Sequence, residues 1–252
     1  MTENILEIRN LSLAAVDENN RDRWILKDVS MDIAAGKITC LVGESGSGKS
    51  MTISSILGIT PDTVWFKENS SIQFSGEKIF AVFQDPMNSF NQSIKTGRQM
   101  YEMAKSFRDV NREDFNRDIC EVLKKLNFSE PERVLGQYPF ELSGGMLQRL
   151  MIGCGIYIRP SLMIADEPTT ALDVTVQKDI LKTFRQINQQ YGITILLVTH
   201  DFGVVAETAD EVIVMEKGRV VEKGTVFEIF DHPQQAYTRQ LIEATFKGEK
   251  TC

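Results

Sequence analysis

The sequence predicts an α/β fold built on a mainly parallel sheet with helices on both sides. Three observations predict it. Short, largely apolar runs recur at Ile38–Val42 and at residues 162–165 and 193–198, the mark of strands buried on both faces. Helix-like segments, notably 50–57 and 177–190, lie between such runs, and strands alternating with helices belong to parallel sheets. A glycine-rich loop joins the first run to its helix, which is where α/β proteins commonly place a ligand.

In chain order, residues 5–13 alternate apolar and polar side chains and read as a strand, followed by a polar loop at 17–23. A second strand-like stretch covers 29–33 and leads to a turn at Gly36. Ile38–Val42 enters the glycine-rich loop and the helix at 50–57, and residues 79–83 repeat the buried-strand pattern. From about Gly97 to Ile158 the strand signals stop. Residues 100–107 and 118–126 show helical spacing with charged faces, so this stretch reads as a helical insertion. Strands then return at 162–165 and 193–198 around the amphipathic helix 177–190. The runs 212–215 and 220–221 flank a turn at Lys217-Gly218. The expected organisation is one domain over 1–252, with a core from 1–97 and 159–252 and a helical subdomain at 98–158.

Composition removes several function classes. With 28 Lys and Arg against 35 Asp and Glu, the net charge of −7 argues against a primarily nucleic-acid-binding surface. Cys40, Cys120, Cys154 and Cys252 lie far apart with no CxxC pair, the usage of a reduced cytosolic chain, and Cys40 and Cys154 are expected as buried thiols. Glu3, Glu7 and Arg9 interrupt any signal-peptide pattern. The longest apolar runs fall far short of the roughly 20 residues a membrane-spanning helix needs. Any membrane role is expected to come through a partner.

Gly43-Glu44-Ser45-Gly46-Ser47-Gly48-Lys49-Ser50 fits G-x-x-x-x-G-K-[ST] between a strand and a helix, the setting that motif requires. Glycines let backbone N–H groups approach phosphates, and the following helix adds its positive end. Lys49 supplies a point charge to the β/γ-phosphates, and Ser50 a hydroxyl for Mg²⁺. Further on, the strand at 162–165 delivers Asp166 and Glu167 at its end. They suit a Mg²⁺-associated aspartate and a base for the attacking water. On their own they fit a solvated loop equally well.

Leu142-Ser143-Gly144-Gly145-Met146, followed by Gln148-Arg149, changes that balance. With it the sequence resembles the ABC ATPase family over nearly the whole chain. Six motifs stand in family order: the loop 43–50, Gln84 after a strand, the signature 143–148, Asp166 with Glu167, Ala171-Leu172-Asp173, and His200 in Thr199-His200-Asp201. The resemblance implies a P-loop NTPase (RecA-like) core with a mainly parallel sheet, an N-terminal antiparallel β subdomain and an inserted α-helical signature subdomain. It implies ATP and Mg²⁺ as cofactors, the metal held by Ser50, Gln84 and Asp166. Glu167 is then the catalytic base, Gln84 the sensor of γ-phosphate, Mg²⁺ or water, and His200 a hydrogen-bonding partner of γ-phosphate or water. Ser143, Gly144, Gly145 and Gln148, with Asp173, would contact nucleotide, the signature gripping the γ-phosphate held by an opposite subunit. Ser143 also suits a simple helix N-cap, and the two roles are compatible. His232, in Asp231-His232-Pro233, reads as a surface turn residue. Relatives stack adenine on an aromatic side chain just after the first strand, where this chain has Ala15. Trp24 is either a substitute stacking face or a partly buried loop tryptophan.

Three segments look like the peptide/nickel branch of ABC importers: 83–91, 138–146, and His232-Pro233 with Tyr237-Thr238-Arg239. A tail without a cysteine cluster, together with Leu147, looks more like the ATPases for nickel or another metal, free or chelated. The alternative is a di- or oligopeptide importer. The branch implies two integral-membrane permease subunits, a second homologous ATPase subunit and, indirectly, an extracytoplasmic solute-binding protein. It also implies a position at the cytoplasmic face of the cell membrane. Soluble ABC ATPases that act on DNA or ribosomes usually carry tandem cassettes, long coiled coils or basic segments. A single copy of each motif and an acidic balance oppose that class. Intact Lys49, Glu167 and His200 oppose a non-enzymatic subunit.

Overall fold

A computed structural model describes residues 3–16, 21–169 and 174–248. Two long strands, β1 (Asn4–Val16) and β2 (Asp22–Ala34), precede β3 (Ile38–Val42), helix α1 (Lys49–Leu57) and the short strands β4 (Val64–Phe66) and β5 (Ser71–Phe74). Next come β6 (Ile79–Val82) and the helices α2 (Pro86–Ser89), α3 (Thr96–Phe107), α4 (Arg112–Lys125), α5 (Pro131–Leu135) and α6 (Gly144–Ile158). Strand β7 (Leu162–Asp166) and helix α7 (Val174–Tyr191) follow. The last elements are β8 (Thr194–Thr199), α8 (Phe202–Thr208), β9 (Glu211–Glu216), β10 (Arg219–Thr225), α9 (Val226–Asp231) and α10 (Ala236–Gly248). They gather into two compact units, Met1–Glu77 with Thr194–Cys252, and Lys78–Ile193.

In the first unit β2, β4 and β5 all pair antiparallel with β1. A second set of strands runs β10-β9-β3-β8, with β3 parallel to both β8 and β9. Every residue of β3 and β8 is buried, as continuous apolar runs require of strands covered on both faces. From β1 and β2, Leu6, Ile8, Leu11, Leu13, Leu26, Val29, Met31 and Ile33 make one apolar face, all buried. The register of this pair shifts near Asn10 and near Asp28, both at positive φ, the signature of bulges that tighten the local twist. Beside the second bulge the N–H of Lys27 goes to the carbonyl of Gly218 at 2.8 Å. Gly218 belongs to the β9–β10 turn, where Lys217 at φ 47 and Gly218 at φ 81 make the tight two-residue hairpin that needs positive φ at both positions.

In the second unit β6 and β7 pair in parallel, Val82 opposite Ala165. From residue 147 to 158 every side of α6 except Arg149 is buried, which marks it as the central helix. Phe115, Ile119 and Leu123 of α4 are fully buried with it.

The structure departs from the sequence reading mostly at strand ends. Asp22 and Arg23 belong to β2 instead of a loop, because they pair with Val16 and Ala15 across the strand. Strand β6 stops at Val82, Phe83 is 40% exposed, and only Phe80 and Val82 of the strand are buried. It is the last strand in its sheet order, with one edge unpaired, which explains the incomplete burial. Strands β4 and β5 were not anticipated; they are short and largely exposed, so they lack an apolar run. Cys40 and Cys154 are buried as expected, and so is Cys120. No described helix is long and apolar enough to cross a membrane.

Candidate functional site

Strand β3 ends at Val42, and residues 43–48 turn directly into α1. Gly43 is required by close approach: a Cβ there would lie 2.2 Å from the carbonyl oxygen of Met215 and 2.8 Å from Ser47 Oγ. The Lys49 ammonium curls back over the loop, donating to the carbonyls of Gly43 at 2.6 Å and Glu44 at 2.9 Å. Glu44, Ser45, Gly46 and Ser50 are exposed, whereas Ser47 is buried and its Oγ has no hydrogen-bond partner among the described residues. Helix α1 begins from Gly48 at φ 109, with no side-chain cap and no acidic residue in its first turn. Its first N–H groups are therefore left for an anion, at the positive end of the helix dipole. An ammonium, an orphaned buried hydroxyl and an uncapped helix start on one loop fit a polyphosphate.

Parallel pairing places the next residue. Val42 stands opposite Thr199, so Gly43 and His200 leave β3 and β8 side by side at their C-terminal ends, where α/β sites form. His200 is exposed, and the carboxylate of Asp201 caps α8 by accepting the N–H of Gly203 at 2.7 Å. His232 is an exposed residue at the end of α9, as the sequence suggests.

The second unit holds the remaining motifs. The Val82–Ala165 register brings Gln84 and Asp166 to the same strand ends, and both line a pocket of about 640 Å³ with Phe83, Met103, Phe107 and Met151. Asp166 presents a buried carboxylate oxygen, Oδ1. Glu167 adopts φ 45 immediately before the buried Pro168. Positive φ is uncommon for a residue with a side chain, and such strained backbone concentrates at functional sites.

Ser143 is the exposed N-cap of α6, its Oγ accepting the N–H of Met146 at 3.3 Å. A Cβ on Gly144 would meet nothing within 4 Å among the described residues, which leaves the start of this helix open. Gln148 does not share that exposure. It is 1% exposed, and among the described residues neither its Oε1 nor its Nε2 has a hydrogen-bond partner, so it is enclosed instead of standing at the open helix end. It stands one turn above Gly144 on nearly the same face, so the enclosure of α6 from its second turn onward buries it, not a change of side. Asp173, with Ala171 and Leu172, lies outside the described residues.

Trp24 proves to be a strand residue, not a loop tryptophan. Ala14 stands opposite both Trp24 on β2 and Trp65 on β4, and the two rings meet edge to face at 5.2 Å. Each keeps over a third of its surface exposed. For a metal, Ser50, Gln84 and Asp166 offer hard oxygen donors. Among the described residues no group of three or more His, Cys, Asp or Glu is arranged to hold an ion alone. Each of the three donors is a hard oxygen of the kind Mg²⁺ takes beside waters and phosphate oxygens, Ser50 on one unit and Gln84 with Asp166 on the other.

A sequence profile described as ABC transporter matches residues 26–170. The chain belongs to the ABC transporter ATP-binding family. This cassette is 40% identical to the peptidoglycan transport ATP-binding protein YejF of Agrobacterium fabrum, covering 98% of this chain and 48% of that protein. It spans about half the length of that relative. It is also 40% identical to the oligopeptide transport ATP-binding protein AppD of Bacillus subtilis, over 85% of this chain and 70% of that one. Identity to the metal-staphylopine import system ATP-binding protein CntD of Staphylococcus aureus is 33%, over 96% and 94%. Among solved structures, cbiO1 from Clostridium perfringens, part of the ABC transporter complex cbiONQ, matches with a TM-score of 0.75 at 24% identity, over 98% of this chain and 99% of that one. That likeness shows the α/β cassette fold.

The cassette thus carries its loop 43–50 and His200 on one unit, and Gln84, Ser143, Asp166 and Glu167 on the other. Sequence reading missed one residue at the loop. The hydroxyl of Tyr237, from α10, accepts the N–H of Glu44 at 3.1 Å. Tyr237-Thr238-Arg239 had stood out only as a mark of the subfamily.

Proposed function

We propose that this chain binds ATP with Mg²⁺ and hydrolyses it to drive a membrane importer. The observation that carries the reading is the phosphate loop, where the Lys49 ammonium, the orphaned Ser47 hydroxyl and the uncapped start of α1 converge. Lys49 takes the β/γ-phosphates, while Ser50, Asp166 and Gln84 supply oxygens for the metal. When bound, Mg²⁺ neutralises charge on the phosphates. Glu167 removes a proton from the attacking water, and His200 hydrogen-bonds the γ-phosphate or that water. Ser143, Gly144 and Gly145, at the start of α6 in the helical stretch 98–158, offer a second helix N-terminus to nucleotide held by a homologous subunit. Two integral-membrane permease subunits hold the chain at the cytoplasmic face of the membrane and complete the machine, and the apolar pocket beside Gln84 suits a permease segment. Glu167→Gln should keep ATP binding and lose turnover by about 10²–10⁴-fold, the usual worth of a general base. Lys49→Ala should lose binding as well. A Glu167→Gln protein that hydrolyses ATP near the wild-type rate sinks the assignment.

The cargo reading has two sides. The similarity to CntD over 94% of that protein supports a metal, free or chelated, and the 40% identity to AppD supports an oligopeptide. Leu147, which leans the sequence toward metal, is fully buried in α6, so it packs and reads no solute. Deleting the gene and measuring nickel and other metal accumulation beside growth on peptides separates them. Lost metal uptake with normal peptide use supports the first reading, and the reverse pattern the second.

A further inference from the structure

The peptide linking Gly43 to Glu44 is pinned at both of its polar ends. Its carbonyl oxygen accepts from Lys49 Nζ at 2.6 Å, and its N–H donates to the Tyr237 hydroxyl at 3.1 Å. Tyr237 lies 193 residues further along the chain, so this contact belongs to the tertiary fold and not to the motif. The start of α10 that carries it is itself anchored. Glu222 on β10 accepts the N–H of Gln234 at 2.6 Å and of Gln235 at 3.1 Å. Arg239 reaches back to the carbonyls of Pro233 at 3.1 Å and Gln234 at 2.9 Å, and Thr238 is fully buried. Burial pushes the Tyr237 phenol pKa up, so at neutral pH the hydroxyl is an uncharged acceptor.

We propose that Tyr237 is a positioning residue for the phosphate loop, holding the Gly43–Glu44 peptide in the orientation that nucleotide needs. The inference rests on reading that loop as the ATP site. An ammonium drawn to a phosphate loosens its hold on the Gly43 carbonyl. Tyr237 then keeps the peptide plane from turning, so the loop's other N–H groups stay aimed at the phosphates. It touches neither phosphate nor water, and its effect falls on binding before chemistry. Helix α10, remote from every motif, becomes part of the nucleotide site through this one hydroxyl.

The test compares ATP binding and turnover in wild type, Tyr237→Phe, Glu222→Ala, their double variant and Lys49→Ala. Losing one neutral hydrogen bond predicts KM and Kd for ATP raised about three- to tenfold in Tyr237→Phe, with kcat within about twofold. Glu222→Ala should raise KM in the same direction, and the double variant should be no worse than the larger single, because both act through one contact. Amide exchange at Glu44, measured without nucleotide, should quicken in Tyr237→Phe. Unchanged KM in Tyr237→Phe, or a fall in kcat alone, while Lys49→Ala loses ATP, overturns the positioning role and leaves the ATP site standing. A wild-type protein that binds no ATP overturns both.

Discussion

Replacing Gly218 by alanine, set beside Gly36→Ala, isolates how the phosphate loop is braced. Both glycines lie in the left-handed region, at φ 81 and φ 73. Both variants therefore carry a similar backbone penalty, about 1–2 kcal/mol for an L-residue, partly offset by a stiffer unfolded chain. Their surroundings differ. A Cβ on Gly36 meets nothing within 4 Å, whereas one on Gly218 lies 2.2 Å from the carbonyl oxygen of Ile25. That oxygen is backbone, so no rotamer change relieves the overlap, and overpacking of this kind costs about 1–3 kcal/mol. The strain falls on two hydrogen bonds of 2.8 Å, Gly218 N–H to the Ser47 carbonyl and Lys27 N–H to the Gly218 carbonyl. Each is worth about 0.5–1.5 kcal/mol. Gly36→Ala should thus lose about 1 kcal/mol and Gly218→Ala about 3 kcal/mol or more. For a chain of this size the two melting temperatures should part by about 4–8 °C. Circular dichroism melts read that gap. An ATP titration should show weaker binding only for Gly218→Ala, because only that variant shifts Ser47. Equal losses in the two melts, or undiminished ATP affinity in Gly218→Ala, would refute the bracing.

Two further outcomes follow from buried groups. Gln148→Met should hold or raise the melting temperature, since it removes two amide atoms whose unrepaid desolvation costs about 1–3 kcal/mol; a clear drop would show that the amide has found a partner. Burial pushes the Cys154 thiol up to about 12, and burial with nearby Glu132 pushes Cys120 up to about 11. Both thiols should resist an aromatic disulfide reagent at pH 8 in the folded protein and react once unfolded. Because their folded pKa values lie above the unfolded value of about 8.5, they contribute no pH dependence below it and lost stability as pH rises from there towards 11–12. Rapid modification of Cys154 in the native state at pH 8 contradicts this.

How far the sequence could be read follows from what each element leaves in one dimension. Strands β3, β7 and β8 were legible because burial on both faces writes a largely apolar run, and their ends place Gly43, Asp166 and His200. The edge strand β6 was legible only in part, since half its side chains meet solvent. Strands β4 and β5 were not legible at all, because what holds them is pairing with β1, not a pattern of their own. Within the site, Lys49 and Ser143 could be named from spacing, but the burial of Gln148 comes from α6 being enclosed on nearly every side, which local spacing does not write. The left-handed backbone of Glu167 has no sequence signal beyond the following proline, and that proline would favour an extended conformation.

The phosphate loop makes the same point about function. Its eight residues specify a turn that admits phosphate, yet three remote segments hold the turn. Lys27 grips Gly218, Gly218 grips Ser47, and Tyr237 grips Glu44. None of these three contacts is local, and all lie in the unit Met1–Glu77 with Thr194–Cys252. On the proposed reading, changes that break these contacts, such as Lys27→Pro, Gly218→Ala or Tyr237→Phe, therefore weaken the hold on ATP. Glu167 is different in kind, because its strain is stored at the residue that would meet the water. On the same proposed reading, changes there should act on the chemical step with affinity largely kept. A family with one motif set can in this way vary nucleotide affinity from member to member without touching the motif, by varying what leans on the loop.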